Sequence, residues 1–167
     1  MGWKKLVGLM LVSVWVSSCC VPVLQKQFYT TEYGSHRPIK SKFTLSKNPY
    51  QLKEGDHIYT DCIYKSSFTM DGSEKKDYTV FLRFFANGRF LRDVLNNDSS
   101  PVEQYNNLKK GSVGYYKVEG DRIILEEFMV GAHDCGKYHI YSLKISDDGI
   151  EDYETIKITG LTGKPDW

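Results

Sequence analysis

Short apolar runs separated by turn residues dominate the chain from about residue 56 onward. The longest run covers residues 78–85 and is followed at once by Asn87-Gly88 and then by a second run at residues 89–95. Asn-Gly between two such runs is the strongest short-range indication of a β-hairpin. We therefore predict two antiparallel strands joined by a tight turn at this point.

Further apolar runs follow, and Gly and Asp residues at 120–121 and 147–149 supply the turns between them. The predicted strands cover residues 57–64, 78–85, 89–95, 112–119, 122–130, 137–145 and 150–158. Strands joined in sequence by hairpins form a meander, and closing a meander into a barrel removes its exposed edges. We therefore predict an all-β fold, an antiparallel up-and-down meander that closes into a barrel of about eight strands.

Both faces of the predicted strands are partly apolar. Side chains alternate between the two faces of a strand, so Val80 and Leu82 share one face while Phe81 and Phe85 share the other. A barrel interior can bury only one of these faces. We expect the outer face to be covered by the N-terminal segment, by a helix or by a partner protein.

One short helix is predicted at residues 101–109. Ser99 and Ser100 are candidate caps, Pro101 suits the first helical turn, and Gly111 follows the expected end. This helix is either a lid over a cavity or a plain connection between strands, and the second interpretation is favoured.

The first twenty residues predict export from the cytoplasm. Lys4 and Lys5 precede an apolar run of about 11 residues and then Ser17-Ser18-Cys19, which is the three-part pattern of a secretory signal peptide. The run is too short to span a bilayer, which takes ~20 residues. Residues 16–19 resemble a bacterial lipobox, and this resemblance implies cleavage before Cys19 and a lipid on that cysteine. A signal peptide without a lipid is the alternative.

These observations divide the chain into three parts: residues 1–18 as a lipoprotein-type signal peptide, 19–54 as a tether and N-terminal segment, and 55–167 as the β-barrel domain. Cys20 rather than Asp follows the lipid site, which in familiar bacterial sorting favours the outer membrane of a Gram-negative bacterium. The predicted location is therefore the cell envelope, with attachment through the lipid.

Composition excludes one class of partner. The formal net charge is +1 and becomes −1 once Lys4 and Lys5 are removed with the signal peptide. Nucleic-acid-binding domains usually carry a basic patch or stripe. We therefore predict no nucleic-acid partner, and the predicted partners are the membrane and either a small ligand or an envelope protein.

Two segments resemble a known group of proteins. Residues 81–90 read Phe-Leu-Arg-Phe-Phe-Ala-Asn-Gly-Arg-Phe, and residues 114–123 read Gly-Tyr-Tyr-Lys-Val-Glu-Gly-Asp-Arg-Ile. This pattern is similar to small lipocalin-like lipoproteins of bacteria, and the similarity covers about residues 56–158. It implies an up-and-down β-barrel and transfers no catalytic or ligand residue. Unlike true lipocalins, the chain has no Gly-x-Trp near the start of the domain.

Two cysteines remain beyond the lipid site. Outside the cytoplasm an even pair usually forms a disulfide, and we predict one between Cys62 and Cys135. The alternative is a reactive thiol or metal site built from His133, Cys135 and His139. Their spacing fits no standard zinc pattern, so a solvated loop pinned by the disulfide is favoured.

No catalytic constellation is visible. The chain has no Gly-x-Ser-x-Gly elbow and no phosphate-binding glycine loop. We therefore predict no enzyme activity, no metal and no cofactor.

A ligand site is predicted inside the barrel. Glu126 and Glu127 point to opposite faces of one strand, and whichever points inward would be a polar anchor, together with Arg83 or Arg92. Tyrosines on the strands would line the cavity, since aromatic linings suit flat apolar ligands. The predicted ligand-binding residues are Tyr78, Arg83, Tyr116, Glu127 and Tyr141.

The sequence as a whole predicts a lipid-anchored binding module of the cell envelope that holds a small apolar or aromatic ligand in its barrel. The alternative is a structural or interaction lipoprotein that acts as an accessory subunit of an envelope assembly.

Overall fold

The structure, a computed structural model, describes residues 27–70, 76–95, 101–131 and 134–167. In these ranges it contains one α-helix, α1 (Pro101–Asn106), and one 3-10 helix at Leu45–Lys47. The strands are β1 (Phe28–Thr30), β2 (His36–Pro38), β3 (Cys62–Met70), β4 (Lys76–Phe84), β5 (Arg89–Val94), β6 (Ser112–Glu119), β7 (Arg122–Met129), β8 (Lys137–Ser146), β9 (Gly149–Ile150) and β10 (Glu154–Lys157).

Eight of the strands form one antiparallel sheet in the order β10-β3-β4-β5-β6-β7-β8-β9. From β3 to β9, each strand pairs with the next one in sequence. The sheet curls until its two edge strands, β9 and β10, lie in contact, so the barrel is nearly closed. The all-β up-and-down meander of about eight strands is therefore confirmed.

The β4–β5 hairpin forms where Asn87-Gly88 predicts it. Gly88 adopts a φ of 73°, which few residues other than glycine tolerate. The Phe85 N–H donates to the Arg89 carbonyl over 2.9 Å and closes the turn.

The last predicted strand, residues 150–158, is divided in two. Asp152 has a φ of 64°, and the Tyr153 N–H donates to the Ile150 carbonyl over 3.1 Å, which forms a turn at this point. Before the turn β9 pairs with β8, and after it β10 pairs with β3. An unbroken strand would continue along β8, so the turn is what brings the chain across to the other edge of the sheet.

The first predicted strand, residues 57–64, begins later than expected, at Cys62. The residues before it close one end of the barrel, which we call the closed end. Ile58 is buried there, and Tyr50 and Leu52 pack against the same cluster. We call residues 50–58 the plug. The Leu52 N–H donates to the Ala86 carbonyl over 3.0 Å, which holds the plug against the β4–β5 hairpin.

The barrel half next to the plug is filled with large side chains. Phe84 lies at its centre, with ring centroids 5.0 Å from Tyr116 and 5.3 Å from Tyr64 in edge-to-face contacts. The Tyr116 hydroxyl donates to the Phe85 carbonyl over 2.8 Å, so its buried polar atom is satisfied. The other fully buried members of this cluster are Leu82, Phe90, Ile123 and Leu125.

The outer face of the barrel is covered by the N-terminal segment, the helix and the C-terminal segment. Tyr105 of α1 packs on Phe81 of β4, with ring centroids 4.9 Å apart. Phe43, which is 1% exposed, packs on Tyr115 of β6 at 5.0 Å, and Trp167 joins both outer clusters. The expectation that the outer apolar face is covered is therefore confirmed.

The helix is shorter than the predicted residues 101–109 and ends at Asn106. Two turns follow, with the Lys110 N–H donating to the Asn107 carbonyl. Arg37 lies 4% exposed beneath this segment and donates to the carbonyls of Leu108, Lys110 and Gly111 over 3.1, 3.1 and 2.6 Å. These carbonyls are thus satisfied by a side chain instead of by further helical turns. The helix lies against the wall of the barrel as a connection and not over its interior.

Among the described residues, no helix is both long enough and apolar enough to cross a membrane.

We expect Phe84→Ala to lower the free energy of unfolding by about 3–5 kcal/mol, because it leaves a cavity in the filled half of the barrel. Urea unfolding followed by circular dichroism measures the change. The matched control is Phe68→Ala on the neighbouring strand, where the side chain is 43% exposed, and it should cost less than about 1 kcal/mol. Equal losses in the two variants would contradict a filled interior.

Candidate ligand site at the barrel mouth

The end of the barrel opposite the plug, which we call the mouth, contains a cavity of about 380 Å³. Strands β3, β5 and β7 end here, and the β7–β8 loop lies beside it. The lining includes Arg92, Glu127, Met129, His139, Tyr141 and Tyr153. This volume is near the lower end of the range of small-molecule sites.

Strand alternation places Glu127 in this cavity. Ile123 and Leu125 of β7 point into the filled half of the barrel, and Glu127 continues the same face one step closer to the mouth. Tyr141 on β8 and Arg92 on β5 point inward around it. The carboxylate therefore lies where the apolar filling ends and the cavity begins.

Glu127 is 1% exposed, and its two carboxylate oxygens have different surroundings. Oε2 accepts a hydrogen bond from the Tyr141 hydroxyl over 2.9 Å. Oε1 lies 3.5 Å from Arg92 Nη1 and has no hydrogen-bond partner among the described residues. Buried polar atoms are usually paired, and among the described residues this oxygen has the ion pair with Arg92 but no hydrogen bond.

The two phenols beside Glu127 remain neutral at physiological pH. Burial is the largest cause that raises the pKa of Tyr141, and the neighbouring Glu127 carboxylate raises it further. Burial also raises the pKa of Tyr153. Tyr141 therefore acts as a hydroxyl donor, and both rings offer apolar faces next to the carboxylate.

The cavity can therefore bind a small molecule through two kinds of contact. Tyr141, Tyr153 and Met129 supply apolar surface, and Glu127 supplies a charged acceptor. A ligand with a hydroxyl, amide or ammonium donor would satisfy Oε1, and a hydrogen bond to a charged group is stronger than one between neutral groups.

The structure places the predicted ligand residues at different depths. Glu127 and Tyr141 lie together in the cavity. Tyr116 lies in the filled half, where its hydroxyl is already bonded. Tyr78 lies near the mouth end of β4, where its ring stacks on Phe68 at 5.8 Å, outside the cavity lining.

The prediction that Arg83 belongs to the ligand site is wrong. Its side chain lies on the outer face of β4, 4% exposed, where Nη1 donates to the Tyr105 carbonyl over 2.8 Å and Nη2 to the Thr162 carbonyl over 2.8 Å. Arg83 thus holds the helix and the C-terminal segment on the barrel. Arg92, the other arginine considered from the sequence, faces the cavity.

Glu126 lies back to back with Glu127 and has a structural role. Its Oε1 and Oε2 accept hydrogen bonds from the N–H groups of Thr44 and Leu45, each over 2.8 Å. These are the orphan donors at the start of the 3-10 helix, and a carboxylate is a favourable cap for them.

The described part of the polar loop between β7 and β8 shows no metal-binding arrangement. His133 lies outside the described residues. Asp134 Oδ1 accepts hydrogen bonds from the N–H groups of Gly136 and Gly131 over 2.9 and 3.0 Å, and the first of these is the largest cause that lowers the pKa of Asp134. In the part of the chain that the structure describes, no three His, Cys, Asp or Glu side chains group as metal ligands.

The predicted disulfide between Cys62 and Cys135 is wrong. Within the described ranges Cys62 is a free thiol, packed among the apolar residues of the filled half. It begins β3 at the closed end, whereas Cys135 lies in the β7–β8 loop at the mouth. Because the strands run alternately up and down, the two cysteines lie at opposite ends of the barrel.

Four lining residues were not predicted from the sequence as ligand contacts, namely Met129, His139, Ile140 and Tyr153. Tyr153 enters the cavity because the turn around Asp152 redirects the chain, and the sequence pattern indicates a continuous strand there. His139 shares the inward face of β8 with Tyr141. The alternation of side chains along a strand is therefore the sequence signal that could have placed His139 in the cavity.

Comparison of the chain with protein-family models, with curated proteins and with solved structures finds no match. The signal peptide and Cys19 lie outside the described residues, so their assignment stays a prediction.

We expect Glu126→Ala to lower the free energy of unfolding by about 1–3 kcal/mol, because the N–H groups of Thr44 and Leu45 lose their acceptor. Thermal and urea unfolding measure the loss. Glu119→Ala is the control, since Glu119 is exposed and its ion pair with Lys117 lies at the surface. An unchanged stability in Glu126→Ala would show that the carboxylate does not hold the 3-10 helix.

We expect Cys62 to resist alkylation in the folded protein. Burial raises the pKa of its thiol, and the thiolate is the reactive form. Iodoacetamide at pH 8, followed by intact mass measurement, should leave Cys62 unmodified until denaturant is added, and Cys62→Ser should lack the label gained on denaturation. Rapid labelling of the native protein at Cys62 would contradict its burial.

Proposed function

We propose that this protein is a lipid-anchored binding module of the cell envelope that holds a small ligand in the mouth of its β-barrel. The observation that carries this proposal is the Glu127 carboxylate, which is 1% exposed and has one oxygen without a hydrogen-bond partner among the described residues. A buried acceptor of this kind is costly unless something binds it.

The cavity limits the ligand to a small amphipathic molecule. Large side chains around Phe84 fill the closed half of the barrel, so the ligand occupies only the mouth. Its apolar or aromatic part packs against Tyr141 and Tyr153. Its donor group binds Glu127 Oε1, which adds a polar requirement to the apolar ligand expected from the sequence.

The proposed location rests on the sequence. A signal peptide at residues 1–18 and a lipid on Cys19 would attach the domain to the outer membrane. Two or three acyl chains suffice for stable attachment, where one chain is marginal. The barrel architecture agrees with the resemblance to bacterial lipocalin-like lipoproteins, and membership in that group is part of the proposal.

A second function has support of its own, that of an accessory subunit in an envelope assembly. Phe68, Val94 and Met129 lie at the mouth ends of their strands with 43%, 37% and 38% of their surfaces exposed. We call these three residues the mouth rim. These residues lie on alternate strands at the same end of the barrel, and apolar groups exposed there favour contact with a partner.

The test is native mass spectrometry of the full chain purified in mild detergent from the membranes of its own host. We expect wild-type protein to carry a small molecule that leaves on denaturation. Loss of a hydrogen bond to a charged group costs about 1.5–3 kcal/mol, so Glu127→Gln should lower the affinity for that molecule by roughly 10- to 100-fold.

The control for this experiment is Glu119→Gln, an exposed glutamate at the closed end, which should retain the ligand. Equal occupancy in Glu127→Gln would place the ligand elsewhere in the protein. An empty wild-type protein that cross-links to an envelope protein through the mouth rim would favour the accessory-subunit function.

A further inference from the structure

Strand β8 has an unpaired edge in the half of the barrel next to the mouth. Its odd-numbered residues bond to β7, as the Ile145 N–H does to the Asp121 carbonyl over 2.7 Å. Backbone groups alternate in direction along an antiparallel strand, so the even-numbered residues of β8 point to its other edge. At that edge the Lys144 carbonyl accepts a hydrogen bond from the Glu151 N–H over 3.0 Å. The paired strand β9 reaches no further, since its partners on β8 are Ile145 and Ser146.

Three residues of β8 continue this edge towards the mouth, namely Ser142, Ile140 and Tyr138. Among the described residues, nothing hydrogen-bonds to their backbone N–H and carbonyl groups on this side. The cause is the turn around Asp152, which carries the chain across to β3 as β10. It leaves open the position beside β8 that a continuous strand would fill. We call this position, from Tyr153 to the mouth, the strand slot.

The other wall of the strand slot is β3. Strand β10 pairs with β3 only at Cys62–Lys65, in the half next to the closed end. In the described part of the chain, the rest of β3 as far as Met70 pairs with β4 alone. Both strands that flank the slot therefore have open edges, and an open edge is a template for pairing with another chain.

The cavity at the mouth lies along the edge of β8. His139, Ile140 and Tyr141 all line it, although consecutive side chains of a strand point to opposite faces. A cavity can touch three consecutive residues of one strand only at the edge of that strand, where both faces and the backbone are reachable. The cavity therefore opens into the strand slot, and Ile140, which is 61% exposed, lies at the opening.

We propose that the strand slot binds an extended segment of another protein, which adds to β8 as an antiparallel strand. The segment continues the line of β9, and its backbone bonds to Tyr138, Ile140 and Ser142. Main-chain hydrogen bonds give affinity in this mode of recognition, and pockets for alternate side chains give specificity. The inference rests on the proposed function and deepens it, because the amphipathic ligand of the mouth is then the inward side-chain face of this segment.

The cavity sets the chemistry of the segment. Glu127 lies opposite His139 in the β7–β8 register, so a long side chain that enters beside His139 reaches Glu127 Oε1, and Lys or Gln supplies the N–H donor. The residue two positions earlier in an antiparallel segment lies on the same face, beside Tyr141 and Tyr153, where an apolar group packs. We therefore expect an apolar residue, any residue and then Lys or Gln, with no Pro at positions that bond to β8.

The test is selection of random heptapeptides displayed on phage against the full chain in mild detergent. We expect enriched sequences to carry the apolar residue and the Lys or Gln two positions later. Enriched peptides are then synthesised, and fluorescence anisotropy measures their affinity. N-methylation of alternate backbone amides in one register should lower the affinity by about 10-fold or more, because it removes hydrogen bonds to β8. Methylation in the other register is the matched control and should leave the affinity unchanged.

Two variants test the edge from the side of the protein. Ile140→Pro and Ser142→Pro each remove an N–H that points into the strand slot and no bond to β7, so both should fold, as circular dichroism would show. Each should lower the peptide affinity by about 10-fold or more. Glu127→Gln should lower it by a similar factor, whereas the control Glu119→Gln should not change it.

Several outcomes would overturn the inference: a selection without enriched sequences, unchanged affinity in both proline variants, or equal affinity of the two methylated registers. A dimer that both proline variants abolish would place a second copy of the chain in the slot instead.

The proposed function has a separate readout. A small molecule that co-purifies with wild-type protein and with Ile140→Pro, but not with Glu127→Gln, would support a ligand in the mouth and contradict strand addition. Peptide binding that is lost in Ile140→Pro and unchanged in Glu127→Gln would support strand addition and contradict Glu127 as the ligand's acceptor.

Discussion

The structure depends on one constraint, which is that the central strands are apolar on both faces. Closure of the barrel buries one face around Phe84, and the other is covered by the N-terminal segment, α1 and the C-terminal segment. Backbone groups in such segments need partners when they are buried. Arg37, Arg83 and Glu126 supply them, each buried and each bonded to the backbone of a covering segment. The buried charges on the outside are therefore a requirement of the two-sided core.

The same alternation of side chains gives two adjacent residues different roles, one in holding the structure together and one in the proposed ligand site. Glu126 points outward and caps the 3-10 helix, while Glu127 points inward and meets Tyr141 and Arg92. A shift of one residue in the β7 register would exchange the two carboxylates. It would leave the Thr44 and Leu45 N–H groups without an acceptor. The packing that fixes the register of β7 therefore also fixes the chemistry of the mouth.

The sequence predicts local features well because their causes are local. The Asn87-Gly88 hairpin and the helix start at Pro101 depend on neighbouring residues, and both are present. The division of the last strand depends on barrel closure, which no neighbouring residue encodes. Arg83 was placed at the ligand site because both strand faces are apolar, so alternation alone does not reveal which face is interior. The Cys62 pairing failed because counting cysteines ignores the end of the barrel at which each one lies.

Stability alone does not explain the presence of Glu127 at this position. Ile123 and Leu125 on the same face continue the filled half of the barrel, and an apolar side chain at position 127 would extend that packing. A buried acceptor without a partner instead costs about 1–3 kcal/mol. Arg92 offsets part of the cost, but its nitrogen is 3.5 Å away from Oε1. A donor supplied by a ligand would remove the rest, so the carboxylate is consistent with a site whose most stable form is the occupied one.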